Sequence, residues 1–122
     1  THRQSSAASD VYKRQIAMIE TKQGLENLEE ILEVKGLDAI MIGPYDLSAS
    51  IGKTGDFKSK KYLDAMRMIL DFAKSKNVPC GIHIVEPSKT ELKKRVKEGF
   101  RFIAYSMDSV MLRNSAKLKI SE

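Results

Sequence analysis

The chain has 122 residues, 42% of them hydrophobic, 30% charged and 7% aromatic, the profile of a single soluble globular unit rather than a fibrous, membrane or disordered chain. Its net charge of +5 is scattered among acids with few aromatics between, which argues against a nucleic-acid surface. No apolar run reaches the roughly 18–20 residues that span a bilayer, the opening THRQSSAASD lacks the core of a signal peptide, and the one cysteine, Cys80, fits a reducing compartment, so the expectation is a cytoplasmic protein with no membrane partner.

Residues 1–15 carry no aliphatic periodicity and hold Arg3, Lys13 and Arg14 against Asp10, leaving +3 on the rest. The stretch SSAASDVYKRQ resembles an adaptor-like translation, and residues 1–15 are expected to form a disordered, non-native tail. From Ile16 the pattern changes. Ile16-Ala17-Met18-Ile19 reads as a buried strand, and Leu25, Leu28, Ile31 and Leu32 then recur at helical spacing. Ala39-Ile40-Met41-Ile42 is a second strand, followed by a Gly/Pro turn and a helix over Lys60 to Lys76, with Leu63, Met66, Ile69, Leu70 and Ala73 on one face. Val78-Pro79 closes that helix, because proline disfavours helix at the residue before it. Cys80 to Val85 is a third strand. Ser88 and Glu91 form a capping box that opens a helix with Leu92 and Val96 facing inward and Gly99 at its end. Phe102-Ile103-Ala104-Tyr105 is the fourth strand, and a last helix starts at Asp108 with Val110, Met111 and Leu112.

Four βα units in series, with strands apolar on both faces, predict an α/β fold: a parallel sheet covered by helices. A (β/α)₈ TIM barrel needs about 250 residues, so residues 16–122 are near half of one.

Ligands of such folds gather at the carboxyl ends of the strands. Here those ends read Glu20, then Gly43-Pro44-Tyr45-Asp46, then Glu86-Pro87, then Ser106-Met107-Asp108. Glu20 and Asp46 close consecutive strands, an arrangement of oxygen donors that suits Mg²⁺ or Mn²⁺. Two other roles are open to them: Asp46 as N-cap of a short helix over Leu47-Ser48-Ala49-Ser50, and Glu20 as partner of Lys22 or Lys53.

The strings Ile16-Ala17-Met18-Ile19-Glu20-Thr21-Lys22, Gly24-Leu25-Glu26-Asn27 and Gly36 to Ser48, with GPYDLS at its end, resemble the HpcH/HpaI family of class II pyruvate aldolases over residues 16–113. The resemblance implies a TIM barrel of which this chain is the carboxyl-terminal half, strands five to eight. It also implies Glu20 and Asp46 as ligands of a divalent cation (Mg²⁺, Mn²⁺ or Co²⁺). The segment Gly43, Pro44, Tyr45 and Asp46 would bind substrate, the backbone N–H groups of Tyr45 and Asp46 holding the pyruvate carboxylate. The implied activity is cleavage of 4-hydroxy-2-oxo acids to pyruvate and an aldehyde, with a small oxo acid as partner and a homo-oligomeric full-length protein. The family's proton-moving His and its Arg belong to the other half of the barrel, so no catalytic residue is assigned in this chain. Met18 stands where many members carry a Gln that touches the substrate. The alternatives are a non-catalytic half-barrel and a relative of the citryl-CoA lyases.

The remaining candidates have plainer roles. His83 could face the barrel interior or serve as a hydrogen-bonded structural residue. Glu86 reads as a rim or capping acid, and Cys80 as buried and inert. Lys58 to Lys61 and Lys93-Lys94-Arg95 read as solvated helix faces, and Met66, Met68, Met107 and Met111 as core or interface fillers.

Overall fold

The computed structural model describes residues 13–117, so the expectation for residues 1–12 lies outside the described residues. Strands β1 (Ile16–Ile19), β2 (Ala39–Ile42), β3 (Cys80–Ile84) and β4 (Phe102–Tyr105) form one sheet in sequential order. All three pairings are parallel. Helices α1 (Lys22–Glu26), α2 (Leu28–Leu32), α3 (Pro44–Ser50), α4 (Lys60–Ser75), α5 (Lys89–Glu98) and α6 (Asp108–Ser115) connect and follow the strands. Gln15 extends the first pairing by one residue, its carbonyl accepting from the N–H groups of Asp38 and Ala39.

Strand alternation divides the sheet into two unlike faces. On one face Ile19, Ile40, Ile42, Cys80 and Ile82 are buried with Leu28 and Leu32 of α2, Leu47 of α3 and Tyr62, Ala65, Met66, Ile69 and Ala73 of α4. This is the core. On the other face stand Ile16, Met18, Met41, Gly81, His83, Phe102 and Ala104, and no described helix covers them: Met18 is 54% exposed and Phe102 41%. The expectation of a sheet covered by helices thus holds for one face among the described residues; the other is open. Gly81 lets β3 and β4 approach there, since a Cβ at this position would lie 2.7 Å from the Phe102 carbonyl oxygen.

The helix ends follow the sequence. Ser59 caps α4 by accepting from the Tyr62 N–H, Ser88 caps α5 by accepting from the Glu91 N–H, and Gly99 ends α5 at φ 113°, a conformation glycine adopts without strain. Two expectations are corrected. The first helical run is two short helices broken at Asn27 rather than one. Val96 is exposed, and α5 instead turns Arg95 inward, its side chain 15% exposed between the carboxylates of Glu91 (2.6 Å) and Glu98 (2.9 Å). An arginine can do this because its aliphatic stem packs on apolar surface while its head stays paired. Of the methionines expected as core or interface fillers, Met66 is the core one, and Met68, Met107 and Met111 are exposed.

Candidate active site

The carboxyl ends of β1 and β2 meet where β1 gives way to Glu20 and β2 to Gly43. The Gly43 N–H donates to the Ile19 carbonyl (3.2 Å), and the Glu20 side chain leans over Gly43. A Cβ at position 43 would lie 3.1 Å from the Glu20 Cβ, 3.2 Å from its Oε2 and 3.4 Å from the Met18 sulfur. Glycine is what allows the carboxylate to occupy that place.

Gly43 is also the N-cap of α3, with Pro44 in its first turn, where the fixed φ of proline suits a helix start. The first backbone bond within α3 runs from the Leu47 N–H to the Gly43 carbonyl, and no side chain caps the turn. The N–H groups of Tyr45 and Asp46 precede that bond and are the unpaired donors expected there. Asp46 therefore sits inside the first turn as an exposed side chain; it is not the N-cap. Glu20 does not pair with Lys22, which instead meets Glu26 at 3.4 Å.

Two serines whose contacts are invisible to sequence reasoning hold this turn. Ser48 is fully buried, donates to the Tyr45 carbonyl (2.7 Å) and accepts from the Gly55 N–H (3.0 Å). The Ser50 hydroxyl accepts from the Lys22 N–H at 2.8 Å, tying the segment after Glu20 to the end of α3. The only signal for either was a serine in the GPYDLSAS string. The Tyr45 ring, half exposed, packs edge-on against Phe57, centroids 4.9 Å apart.

His83 stands on the open face near the end of β3, its Nε2 3.1 Å from the Ser106 carbonyl. It is thus on the open sheet face and hydrogen-bonded. Glu86 pairs with Arg113 and Asn114; the guanidinium hydrogen bond holds its carboxyl below the usual range. Cys80 is buried in the core, and burial pushes its thiol up to about 12, which makes it inert. Among the described residues no three His, Cys, Asp or Glu side chains are grouped so as to hold a metal.

The family model of the HpcH/HpaI aldolase/citrate lyase domain matches residues 10–115. The chain belongs to this family. It is 32% identical over 106 residues to a hydroxypyruvate/pyruvate aldolase of Chromohalobacter salexigens, covering 87% of this chain and 41% of that protein. It is 28% identical to a 5-keto-4-deoxy-D-glucarate aldolase of Citrobacter koseri over 84% of this chain and 39% of the relative. Among solved structures, an HpcH/HpaI family protein of Burkholderia cenocepacia superposes with a TM-score of 0.83 at 26% identity, covering 94% of this chain and 44% of that one. The HpcH/HpaI neighbours are TIM-barrel proteins, and the four parallel βα units described here span about two fifths of the length of the curated relatives.

Proposed function

We propose that this chain supplies the metal- and oxo-acid-holding half of an aldolase site that cleaves 4-hydroxy-2-oxo acids to pyruvate and an aldehyde, and that it corresponds to the carboxyl-terminal half of the family barrel. The observation that carries the reading is the Glu20 carboxylate leaning over Gly43, beside the turn where Tyr45 and Asp46 offer unpaired N–H groups. The donor set fits a hard divalent cation, which takes one or two carboxylates and leaves its other positions to water and substrate. Glu20 and Asp46 would hold it. When bound, the cation supplies the Lewis acidity that stabilises enolate charge.

The chain's own residues then do the following. Tyr45 and Asp46 orient the oxo-acid carboxylate by backbone donation, and the lack of a side chain at Gly43 leaves room for the Glu20 carboxylate. Ser48 braces the Gly43–Asp46 turn against Gly55, and Ser50 ties its helix to the segment after Glu20. The proton-moving histidine and the arginine that the family resemblance implies belong to the remaining part of the barrel. The names of the relatives, hydroxypyruvate/pyruvate aldolase and 5-keto-4-deoxy-D-glucarate aldolase, favour an aldol over an acyl-CoA substrate.

Mn²⁺ titration followed by water-proton relaxation tests the reading. Binding is expected in the chain as it stands, and Glu20→Gln or Asp46→Asn should abolish it. Unchanged titration in both variants would overturn the assignment.

A further inference from the structure

A second polar group stands in the same row as Glu20. The register sets Ile19 against Ile42 and Ile42 against Ile82. One residue further on, Glu20, Gly43 and His83 follow one another across three neighbouring strand ends, and His83 lies opposite Ala104 of β4. Alternation puts all four on the open face. Neighbouring strands are about 4.8 Å apart, and the Glu20 side chain is displaced over Gly43 towards β3. Carboxylate and imidazole therefore stand on either side of Gly43, which contributes no side chain between them.

The imidazole is held in one tautomer. Its Nε2 lies 3.1 Å from the Ser106 carbonyl oxygen. A carbonyl oxygen can only accept, so Nε2 carries the proton and, in the neutral ring, Nδ1 is left as an acceptor. The partner is itself fixed: Ser106 is buried at φ 65°, rare for a residue with a side chain, and its N–H donates to the Ile84 carbonyl at 2.7 Å. The rest of this face is apolar, with Ile16, Met18, Met41, Phe102 and Ala104 around it, so packing alone does not call for an imidazole here.

We infer that His83 is a substrate-contacting residue that sets specificity by accepting, through Nδ1, a hydrogen bond from the hydroxyl of a 4-hydroxy-2-oxo acid. The inference rests on the proposed oxo-acid site. Of the groups such a substrate carries, the ionised carboxylate and the keto oxygen can only accept, and only the hydroxyl can donate to a nitrogen lone pair. That hydroxyl lies on the carbon that leaves as the aldehyde, so His83 favours the aldol over its deoxy analogue.

The test uses the full 122-residue chain with Mg²⁺ at mildly alkaline pH, comparing the affinities of 4-hydroxy-2-oxobutanoate and 2-oxobutanoate by NMR titration. One neutral hydrogen bond predicts about three- to tenfold tighter binding of the hydroxy compound. His83→Leu should erase that preference without weakening 2-oxobutanoate. Should the leucine variant fail to fold, His83→Phe keeps a ring of similar shape while removing the acceptor, and should lose the preference too. The ¹⁵N signals of labelled histidine, assigned against the other histidine, His2, by their loss in either variant, should report the Nε2–H tautomer; the Nδ1–H tautomer would overturn the inference whatever binds. Equal affinity for the two acids, or a preference that survives His83→Leu, would overturn it and leave the oxo-acid site standing. Absence of Mg²⁺-dependent binding of both acids would overturn the site itself and this inference with it.

Discussion

The Glu20 carboxylate and Gly43 share one place at the ends of β1 and β2: a Cβ on residue 43 would stand 3.2 Å from Oε2 and 3.1 Å from the Glu20 Cβ. Such distances are tighter than ordinary packing, so a methyl group there must push the carboxylate aside. Gly43 is at φ −91° and needs no left-handed backbone. The requirement for glycine is therefore one of space, and it serves the site more than the fold. Gly43→Ala is expected to weaken Mn²⁺ binding by about tenfold, since a displaced ligand loses on the order of 1.4 kcal/mol of binding, while the thermal midpoint moves little. Calorimetry beside the Mn²⁺ titration checks this; an alanine variant with unchanged Mn²⁺ affinity would show that Glu20 is not held where it is needed.

The open face has its own consequence. Ile16 is 42% exposed, Met18 54% and Phe102 41%, and β1 and β4 are edge strands of the described sheet. Unpaired strand edges beside apolar surface are sites of association. The isolated chain is expected to self-associate, and Met18→Lys, which places a charge on that face at an edge, should shift it towards monomer. Light scattering over a concentration series checks this; a concentration-independent monomer for the unmodified chain would count against it.

Much of this architecture was legible in the sequence, because short buried strands and capped helices leave local marks. The four isoleucine-rich runs sit at β1 to β4 as read, and Ser88 and Gly99 bound α5 as read. Periodicity misled where tertiary context decides. Val96 has the right spacing to face inward, yet the burial on α5 falls to Arg95, which finds Glu91 and Glu98 one turn either side. Nothing in the residue pattern marked Arg95 apart from its lysine neighbours. At the site, the string supplied the residue types but not their contacts. Glu20 over Gly43, Ser48 bridging to Gly55 and Ser106 bonded to His83 are all made between different elements or between a helix and its loop, and a local pattern does not record such meetings.

Two buried protons make the fold sensitive to alkali. Burial pushes the Cys80 thiol from its ordinary 9.0 up to about 12. Burial likewise raises the Tyr62 hydroxyl from 10.0 to about 12, a rise that Arg95 partly offsets and Glu91 reinforces. The unfolded chain gives up both protons at lower pH than the folded one, so it binds fewer protons between the two values, and stability falls as pH rises there. Both contributions are fully present below about pH 9 and are lost progressively towards pH 12. Urea midpoints should drop across that window and less steeply in Cys80→Ala. A midpoint that holds level in the unmodified chain up to its alkaline end would contradict the burial of these groups.

Catalysis separates a binding half-site from a working one. In the proposed site Glu20, Asp46 and the Gly43–Asp46 turn would hold an oxo acid, but cleaving the carbon–carbon bond also requires a group that takes the proton from the 4-hydroxyl. Within residues 13–117 the histidine on the open face is His83, whose Nε2 proton is held by the Ser106 carbonyl. His83 Nδ1, inferred to accept from that hydroxyl, is this half's own candidate base, but the histidine and arginine that the family resemblance implies for this step belong to the other half of the barrel. A positioned acid–base group contributes about 10²- to 10⁴-fold, so the chain alone is expected to release negligible pyruvate from a 4-hydroxy-2-oxo acid. Joining it to the amino-terminal half of a family barrel should restore metal-dependent release, read by coupling pyruvate to lactate dehydrogenase. Robust turnover by the 122-residue chain that vanishes in His83→Ala would mean that this half carries its own base. No release from the joined barrel, alongside normal Mn²⁺ binding, would reduce the chain to an oxo-acid-binding module.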